Sequence, residues 1–232
     1  WFVPQSRLAT IPNGINPSPF LRECSRSERE STRRAIGLTE QHVVIGNTGR
    51  LSPLKDNLTL IRALPIISHA VRGRPVALVL AGTGPCLSQL QEAAQALGCS
   101  NRVHFIGFRD DIPRFLNALD IFATLSLREG LSISMLEAMA AARPIVASDI
   151  PPHSELIDHG STGMLIQPRR PDQAAEVILK LLGDPELGKA MGLQARQAVL
   201  RRYTLGRMLE ETWDLYVSLL NRARGVVESE SN

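Results

Sequence analysis

The segment that decides the fold is Val43–Ala81, VVIGNTGRLSPLKDNLTLIRALPIISHAVRGRPVALVLA. It begins with an apolar run at Val43–Asn47, continues with a stretch of helical period at Asn57–Val71, and ends with a second apolar run at Val76–Ala81. Two short β-branched runs on either side of a helix are typical of a β-α-β unit. Because the strands of such a unit are parallel, the segment predicts a parallel sheet that is covered by helices on both faces.

The same alternation continues along the chain. It predicts, in order, the following elements: helix Cys86–Leu97, strand Val103–Ile106, helix Ile112–Leu119, strand Ile121–Thr124, helix Leu131–Ala142, strand Ile145–Ala147, a short helix near Ser154–Ile157 and strand Met164–Ile166. Three helices, Asp172–Leu182, Pro185–Arg202 and Leu205–Ala223, are expected to close the chain. The sequence therefore predicts an α/β protein with a Rossmann-like, doubly wound parallel sheet and C-terminal helices.

Composition excludes several classes of protein. The 232 residues include 26 Lys and Arg against 23 Asp and Glu, a net charge of +3, and 44% of them are hydrophobic. A disordered, collagen-like or disulfide-stapled chain has a different composition. The three cysteines have no metal-site spacing, so we expect reduced thiols and a cytoplasmic protein, with a peripheral contact at the inner membrane face as an alternative. The arginines are scattered along the chain, and no nucleic-acid partner is expected.

The loops that follow the strands are the places to search for a binding site, because ligands bind beyond the carboxyl ends of parallel strands. The loop after the first strand, Gly49–Lys55, carries Arg50 and Lys55 just before a helix. A guanidinium and an ammonium in this position suit a diphosphate. The alternative is that Arg50 forms a surface ion pair and Lys55 points into solvent.

The next two loops are less informative. Gly82-Thr83-Gly84-Pro85 resembles a phosphate loop, but it lacks the third glycine and the Lys-Ser/Thr pair, so a tight turn is favoured. In Gly107–Asp111, the side chains of Phe108 and Arg109 could lie beside a nucleotide base, and a helix N-cap by one of the two aspartates explains the segment equally well.

The loop after the fourth strand carries two glutamates. Glu129 and Glu137 flank a predicted helix start, and carboxylates of this kind accept hydrogen bonds from the diols of sugars. Gly130 permits a close approach of the backbone to a ligand. The free amide groups of the first helical turn, at Leu131, Ser132 and Ile133, form an anion site. In the alternative interpretation, Glu129 only complements the helix dipole and Glu137 lies on a solvated face.

Together these residues resemble a known family. The two glutamates, separated by seven residues and followed by Ala138-Met139-Ala140, closely resemble the E-x7-E motif of retaining GT-B glycosyltransferases of family 4. Further matches follow in the family's order and cover nearly the whole chain; they are Ile11–Asn16, Gly49-Arg50-Leu51 with Lys55, Gly82–Pro85, Val103–Gly107, Pro144–Ser148, Glu155-Leu156 and Gly163–Ile166 with Pro168.

The resemblance implies a function. Enzymes of this family consist of two facing Rossmann-like domains, and these motifs belong to the C-terminal domain, which binds the nucleotide sugar. By motif position, Arg50 and Lys55 would neutralise the diphosphate, Glu137 would hold the ribose and Glu129 the transferred sugar. Gly49 would lie beside them, Phe108 and Arg109 would flank the base, and the amides of Gly130–Ile133 would contact phosphate and sugar oxygens. No metal ion or other cofactor is implied besides the UDP- or GDP-linked donor.

The sequence also departs from the family pattern. Ala142 stands where glycine is common, and Pro151-Pro152-His153 replaces a segment that often contains glycines. His153 is interpreted as a bystander, because no partner for its imidazole is evident from the sequence, while a role as an acid or base stays open.

The resemblance gives the expected domain organisation. We expect residues 1–40 to form an interdomain segment, 41–203 the donor domain, 204–224 a helix that packs on a missing N-terminal domain, and 225–232 a disordered tail. The missing domain would carry the acceptor, a glycan, a lipid or a small molecule. Alternatives are a nucleotide-sugar epimerase, a non-catalytic nucleotide-binding module and an NAD-type oxidoreductase, the last disfavoured because the first loop lacks G-x-G-x-x-G.

Overall fold

The computed structural model describes residues 4–22, 24–71 and 73–229. Its centre is a sheet of six parallel strands in the order β3-β2-β1-β4-β5-β6. The strands are β1 (Val43–Thr48), β2 (Val76–Ala81), β3 (Val103–Phe105), β4 (Ile121–Thr124), β5 (Ile145–Ser148) and β6 (Met164–Ile166). This is the doubly wound order, so the α/β, Rossmann-like prediction is confirmed.

Ten α-helices connect and flank the strands in the described part of the chain. They are α1 (Ser18–Leu21), α2 (Arg26–Ala35), α3 (Asn57–Ala70), α4 (Leu87–Ala96), α5 (Ile112–Ala118), α6 (Ile133–Ala140), α7 (Pro151–Ser154), α8 (Pro171–Gly183), α9 (Pro185–Arg202) and α10 (Leu205–Ser229). Short 3-10 turns occur at Gln5–Arg7, Pro53–Lys55 and Ser100–Arg102.

The sheet separates two apolar layers, because successive side chains of a strand point to opposite faces. Val43 and Ile45 of β1 belong to the layer that contains residues of α3, α4 and α8. Val44 belongs to the opposite layer, with residues of α5, α6 and α9. Since both faces are covered, β1 and β2 are buried along their whole length, which explains their continuous apolar sequences.

The strand order reverses between β1 and β4. These neighbours pair in register at Ile45 and Ile121, while the crossover from β1 leads to one side of the sheet and that from β4 to the other. The loops after the two strands therefore diverge and leave a crevice at the carboxyl edge. A ligand site of a doubly wound sheet is expected at this switch point.

Several element boundaries differ from the prediction. The helix expected from Leu131 begins at Ile133, because Ser132 is the N-cap and has extended dihedrals, φ −78° and ψ 100°. The short helix expected near Ser154–Ile157 lies earlier, at Pro151–Ser154, where the prolines occupy the first helical positions that suit them. α10 continues to Ser229, into the segment where the sequence analysis expected a disordered tail, and residues 230–232 lie outside the described residues.

α2 is rich in charged residues, yet one of its arginines is buried. Ser25 and Glu28 form a capping box at its N-terminus. On its inner face Arg33 is buried, and its guanidinium donates to the carbonyl oxygens of Ala118 at 2.9 Å and His42 at 3.0 Å and to Asp120 Oδ2 at 3.1 Å. A buried arginine thus anchors the N-terminal segment to the start of β4.

Two surface properties complete the fold. Apolar side chains at three- and four-residue steps form an exposed stripe along α10; they are Leu205, Leu209, Trp213, Tyr216 and Leu220. In the part of the chain that the structure describes, no helix combines the length and the apolar character needed to cross a membrane.

Candidate functional site

A cleft of about 620 Å³ lies at the carboxyl edge of the sheet. The loops after β1, β2 and β3 and the first turns of α6 form its wall. It brings together five residues predicted from the sequence, Gly49, Arg50, Phe108, Arg109 and Glu137; the remaining lining residues are Thr48, Ala81, Gly82, Thr83, Gly84, Ile112 and Ser134. The fold has therefore gathered three loops and the start of one helix around one space large enough for a nucleotide.

The floor of the cleft requires glycine at two positions. A Cβ atom on Gly82 would lie 1.9 Å from the carbonyl oxygen of Gly49, and one on Gly84 would lie 2.3 Å from that of Leu51. The backbones of the two loops are joined by hydrogen bonds from Gly49 N to Ala81 O and from Leu51 N to Thr83 O, both 2.9 Å. The Gly82-Thr83-Gly84 segment is thus a site of close backbone packing between loops rather than a simple tight turn.

Lys55 and Glu129 meet beside this cleft. Lys55 Nζ lies 2.5 Å from Glu129 Oε1, and a Cβ atom built on Gly49 would lie 3.6 Å from the same ammonium nitrogen. The backbone joins the same two loops, since Leu127 N donates to Leu54 O at 2.8 Å. The switch-point loops after β1 and β4 are therefore held together by one ion pair and one backbone hydrogen bond.

Only one of the two carboxylate oxygens of Glu129 has a hydrogen-bond partner among the described residues. Its Oε1 accepts from Lys55 Nζ and, at 2.7 Å, from Ser126 Oγ, whereas Oε2 has no partner among the described residues. Lys55 Nζ carries three protons and donates one of them to Glu129. Both groups can therefore accept a ligand in addition to each other, the lysine an anion and the glutamate a hydroxyl.

Glu137 lies on the wall formed by α6, with buried apolar neighbours in its own helix. Among the described residues its carboxylate has no hydrogen-bond or ion-pair partner. Burial raises the pKa of this carboxyl above its ordinary value, because the charged form loses hydration that no counter-charge replaces. An incompletely solvated carboxylate that faces a cleft is suited to accept hydrogen bonds from a diol.

The remaining predicted residues fall into two groups. In the first, Phe108 is 81% exposed, and the guanidinium of Arg109 is fixed by two contacts with Asp111, one of them 2.7 Å from Nε to Oδ1. In the second, Gly130, Leu131, Ser132 and Ile133 lead into α6 and do not line the cleft; Ser134, one residue inside the helix, does. A flat ring beside a fixed guanidinium matches the surroundings expected for a base.

Three polar residues of the site were missed by the sequence analysis. Ser134 lines the cleft, Ser126 holds Glu129, and Ser148 contacts His153 at the end of β5. His153, interpreted as a bystander without a partner, is in fact buried and hydrogen-bonded. The signal that could have found the serines is their position, since Ser126 and Ser148 stand at the carboxyl ends of predicted strands.

The chain resembles known glycosyltransferases over most of its length. A family model described as glycosyl transferases group 1 matches residues 28–198. An uncharacterized glycosyltransferase of Methanocaldococcus jannaschii is 31% identical over 216 residues, which are 92% of this chain and 55% of that protein. A GDP-mannose-dependent alpha-(1-6)-phosphatidylinositol monomannoside mannosyltransferase of Mycobacterium tuberculosis is 32% identical over 211 residues, 87% of this chain and 54% of that protein. The chain spans about half the length of these curated relatives.

A solved structure supports the same relationship. The crystal structure of Anabaena HepE in complex with UDP-glucose matches this chain with a TM-score of 0.82 and 27% sequence identity. The match covers 90% of this chain and 57% of the HepE chain. The same fold thus occurs in a protein that holds a nucleotide sugar.

Proposed function

Because the chain belongs to the glycosyl transferases group 1 family, we propose that it is the domain that binds the nucleotide-sugar donor of a retaining glycosyltransferase. The enzyme transfers a sugar from a nucleoside diphosphate to an acceptor and keeps the anomeric configuration. The observation that carries this proposal is the cleft at the switch point, which is lined both by Arg50 and by Glu137, whose carboxylate has no partner among the described residues. A nucleotide sugar has diols at both ends and two negative charges between them.

The diphosphate of the donor lies beside Arg50 and Lys55. Arg50 lines the cleft and forms no side-chain ion pair with a described residue, and Lys55 retains two unused protons beside Gly49. These cations neutralise the charge that develops as the nucleoside diphosphate departs. We propose that they make the reaction independent of a divalent metal ion, so that activity should persist when EDTA is added.

The two glutamates hold the two sugars of the donor. Glu137 accepts hydrogen bonds from the ribose hydroxyls, with Phe108 and Arg109 at the base. Glu129 Oε2 accepts a hydroxyl of the transferred sugar, because Oε1 is already occupied by Lys55 and Ser126. The donor carries uridine or guanosine, in accordance with the HepE complex with UDP-glucose and with the GDP-mannose-dependent relative.

The acceptor binds to a second domain of the same enzyme. Relatives are nearly twice as long as the aligned chain, and the exposed apolar stripe of α10, with Trp213 at its centre, offers a surface on which that domain packs. The acceptor is a glycan, a lipid or a small molecule, and a lipid acceptor would bring the enzyme to the surface of a membrane. Attaching the second domain should protect the Trp213 indole from a soluble fluorescence quencher.

Calorimetric titration with UDP, GDP, ADP and their sugar conjugates tests the donor site. We expect one nucleotide to bind, and we expect Glu137→Gln and Lys55→Ala each to weaken its affinity about ten- to a hundredfold, the effect of losing a charged hydrogen bond. The matched controls are Glu176→Gln and Lys180→Ala on the exposed surface of α8, which should leave the affinity within about twofold.

Two other outcomes would point to different functions. Tight binding of NAD with no response to Lys55→Ala would favour an oxidoreductase or an epimerase of similar fold. Binding of a nucleotide sugar without transfer by the full-length protein would favour a non-catalytic module. If no nucleotide binds to the folded full-length protein, the proposed donor site is wrong.

A further inference from the structure

His153 is a buried histidine that the donor site described above does not use. It is fully buried at the first turn of α7. Its Nδ1 lies 2.9 Å from the carbonyl oxygen of Ser148 and 3.2 Å from Ser148 Oγ. Its other ring nitrogen, Nε2, is buried and has no partner among the described residues. Such an atom in a polar site requires a physical explanation.

The neighbours of the ring fix the position of its proton. A carbonyl oxygen only accepts hydrogen bonds, so Nδ1 must donate to Ser148 O. Nε2 then carries a lone pair and no proton. Protonation would create an N–H at Nε2 without an acceptor, and burial accordingly lowers the pKa of His153. His153 is therefore a neutral donor, and its lack of solvent contact makes it unsuited to exchange protons with a substrate.

Hydrogen bonds also connect Ser148 to the loop after β4 that carries Glu129. Ser148 Oγ donates to the carbonyl oxygen of Ser126, which only accepts, and Ser126 Oγ donates to Glu129 Oε1 at 2.7 Å. Three hydrogen bonds thus connect His153, Ser148 and Ser126, here called the serine–histidine chain, to Glu129; two of them end on backbone carbonyl oxygens and the last on the carboxylate. The last member of this chain holds the carboxylate that also pairs with Lys55.

We propose that His153 is a positioning residue, which orients Ser148 so that Ser126 fixes Glu129 with its Oε2 free for the transferred sugar. The part of this inference that concerns the sugar rests on the proposed function; the part that concerns the loop does not. A rigid carboxylate binds a hydroxyl with less loss of conformational freedom than a mobile one. His153 acts on sugar binding through the loop and does not touch the nucleotide.

The first test measures the loop without any ligand. Leu127 N donates to Leu54 O across the two switch-point loops, so amide hydrogen exchange of Leu127, followed by NMR, reports local opening. We expect His153→Phe to accelerate this exchange at least tenfold relative to the core amide of Ile45 in β1. The Ile45 rate, measured in the same sample, reports any change in global stability.

Rescue and control variants separate positioning from packing. His153→Asn retains an N–H donor for Ser148 O and should restore exchange to within threefold of the original rate. Ser148→Ala should reproduce the effect of His153→Phe, and the double variant should add nothing further. Met164→Ala in the adjacent β6 removes buried apolar volume but none of the hydrogen bonds of the serine–histidine chain. It should leave the ratio of the exchange rates of Leu127 and Ile45 unchanged.

The second test measures sugar binding. In separate titrations, His153→Phe should reduce the ratio of the affinity for UDP-glucose to that for UDP, or of GDP-mannose to GDP, about tenfold, while the affinity for the nucleotide alone stays within twofold. If Leu127 responds and this ratio does not, the positioning of the loop stands and the sugar-binding role proposed for Glu129 is wrong. Unchanged Leu127 exchange in His153→Phe, or ¹⁵N shifts that place the proton on Nε2, would overturn the inference.

Discussion

The Lys55 ammonium and the Glu129 carboxylate, 2.5 Å apart and 74 positions apart in sequence, join the two loops that diverge at the switch point. The pair is mostly buried, with 19% and 13% of the two side chains exposed. In the unliganded protein the glutamate therefore neutralises part of the charge that a diphosphate would meet.

This pairing leads to opposite expectations for its two members. Glu129→Gln frees Lys55 from its counter-charge, so we expect the affinity for the nucleoside diphosphate alone to increase about two- to fivefold, equivalent to about 0.5–1 kcal/mol. The same variant should lose the additional affinity contributed by the sugar. Titrations of one variant with UDP and UDP-glucose, or with GDP and GDP-mannose, measure both effects, and a decrease in the affinity for the nucleotide would contradict the expectation.

The second prediction concerns the stability cost of Glu137. Burial raises the folded-state pKa of this carboxyl above 4.5, so between the unfolded and folded values the folded protein binds more protons. Stability contributed by the protonated form is then present below about pH 4.5 and is lost as the pH rises through the folded pKa. We expect Glu137→Gln to have a higher free energy of unfolding than the parent at pH 7, and we expect this difference to become smaller at pH 4, as measured by urea unfolding. In Glu176→Gln, at an exposed site, the difference from the parent should not depend on pH.

The third prediction concerns the anchor of α2. Asp120 accepts hydrogen bonds from Arg33 Nη2 at 3.1 Å, Arg29 Nη2 at 2.6 Å and Val44 N at 2.7 Å. Because Asp120→Ala leaves the buried Arg33 with the more distant carboxylate of Glu40, 3.7 Å from its Nε, as its nearest counter-charge, we expect a loss of about 3 kcal/mol in the free energy of unfolding. Glu30→Ala, which removes the exposed pair with Arg26, should cost less than about 1 kcal/mol. If the two variants lost the same free energy of unfolding, burial would not determine how much these ion pairs contribute to stability.

The fourth prediction concerns Ala142, which has a positive φ of 52°. The left-handed conformation costs a non-glycine residue about 1–2 kcal/mol, and glycine avoids this cost. Glycine also has greater conformational freedom in the unfolded chain, which offsets about 0.5–1 kcal/mol of the gain in stability. We therefore expect Ala142→Gly to increase the free energy of unfolding by about 0.5–1 kcal/mol. The reciprocal change Gly192→Ala should destabilise the protein, because its Cβ atom would lie 2.2 Å from Ala142 O. Denaturant titration measures both, and a less stable Ala142→Gly protein would rule out strain at this position.

The sequence by itself determined the architecture. Largely apolar runs at β1 and β2, with a helical period between them, are typical of strands buried on both faces, so Val43–Ala81 predicted the parallel sheet. The rule that ligands bind beyond the carboxyl ends of such strands then selected Arg50, Lys55, Glu129 and Glu137 as candidates. These inferences needed only local periodicity and the geometry of parallel sheets.

Only the tertiary structure decided how those candidates are arranged. Lys55 could have pointed into solvent, and its pairing with Glu129 depends on the side-by-side placement of β1 and β4, which are distant in sequence. His153 has its partner, Ser148, only five residues away in sequence, but this contact became visible only when the turn between β5 and α7 was placed. Local sequence fixes backbone periodicity, whereas the partner and the protonation of a buried polar group depend on the three-dimensional path that brings groups within hydrogen-bond distance.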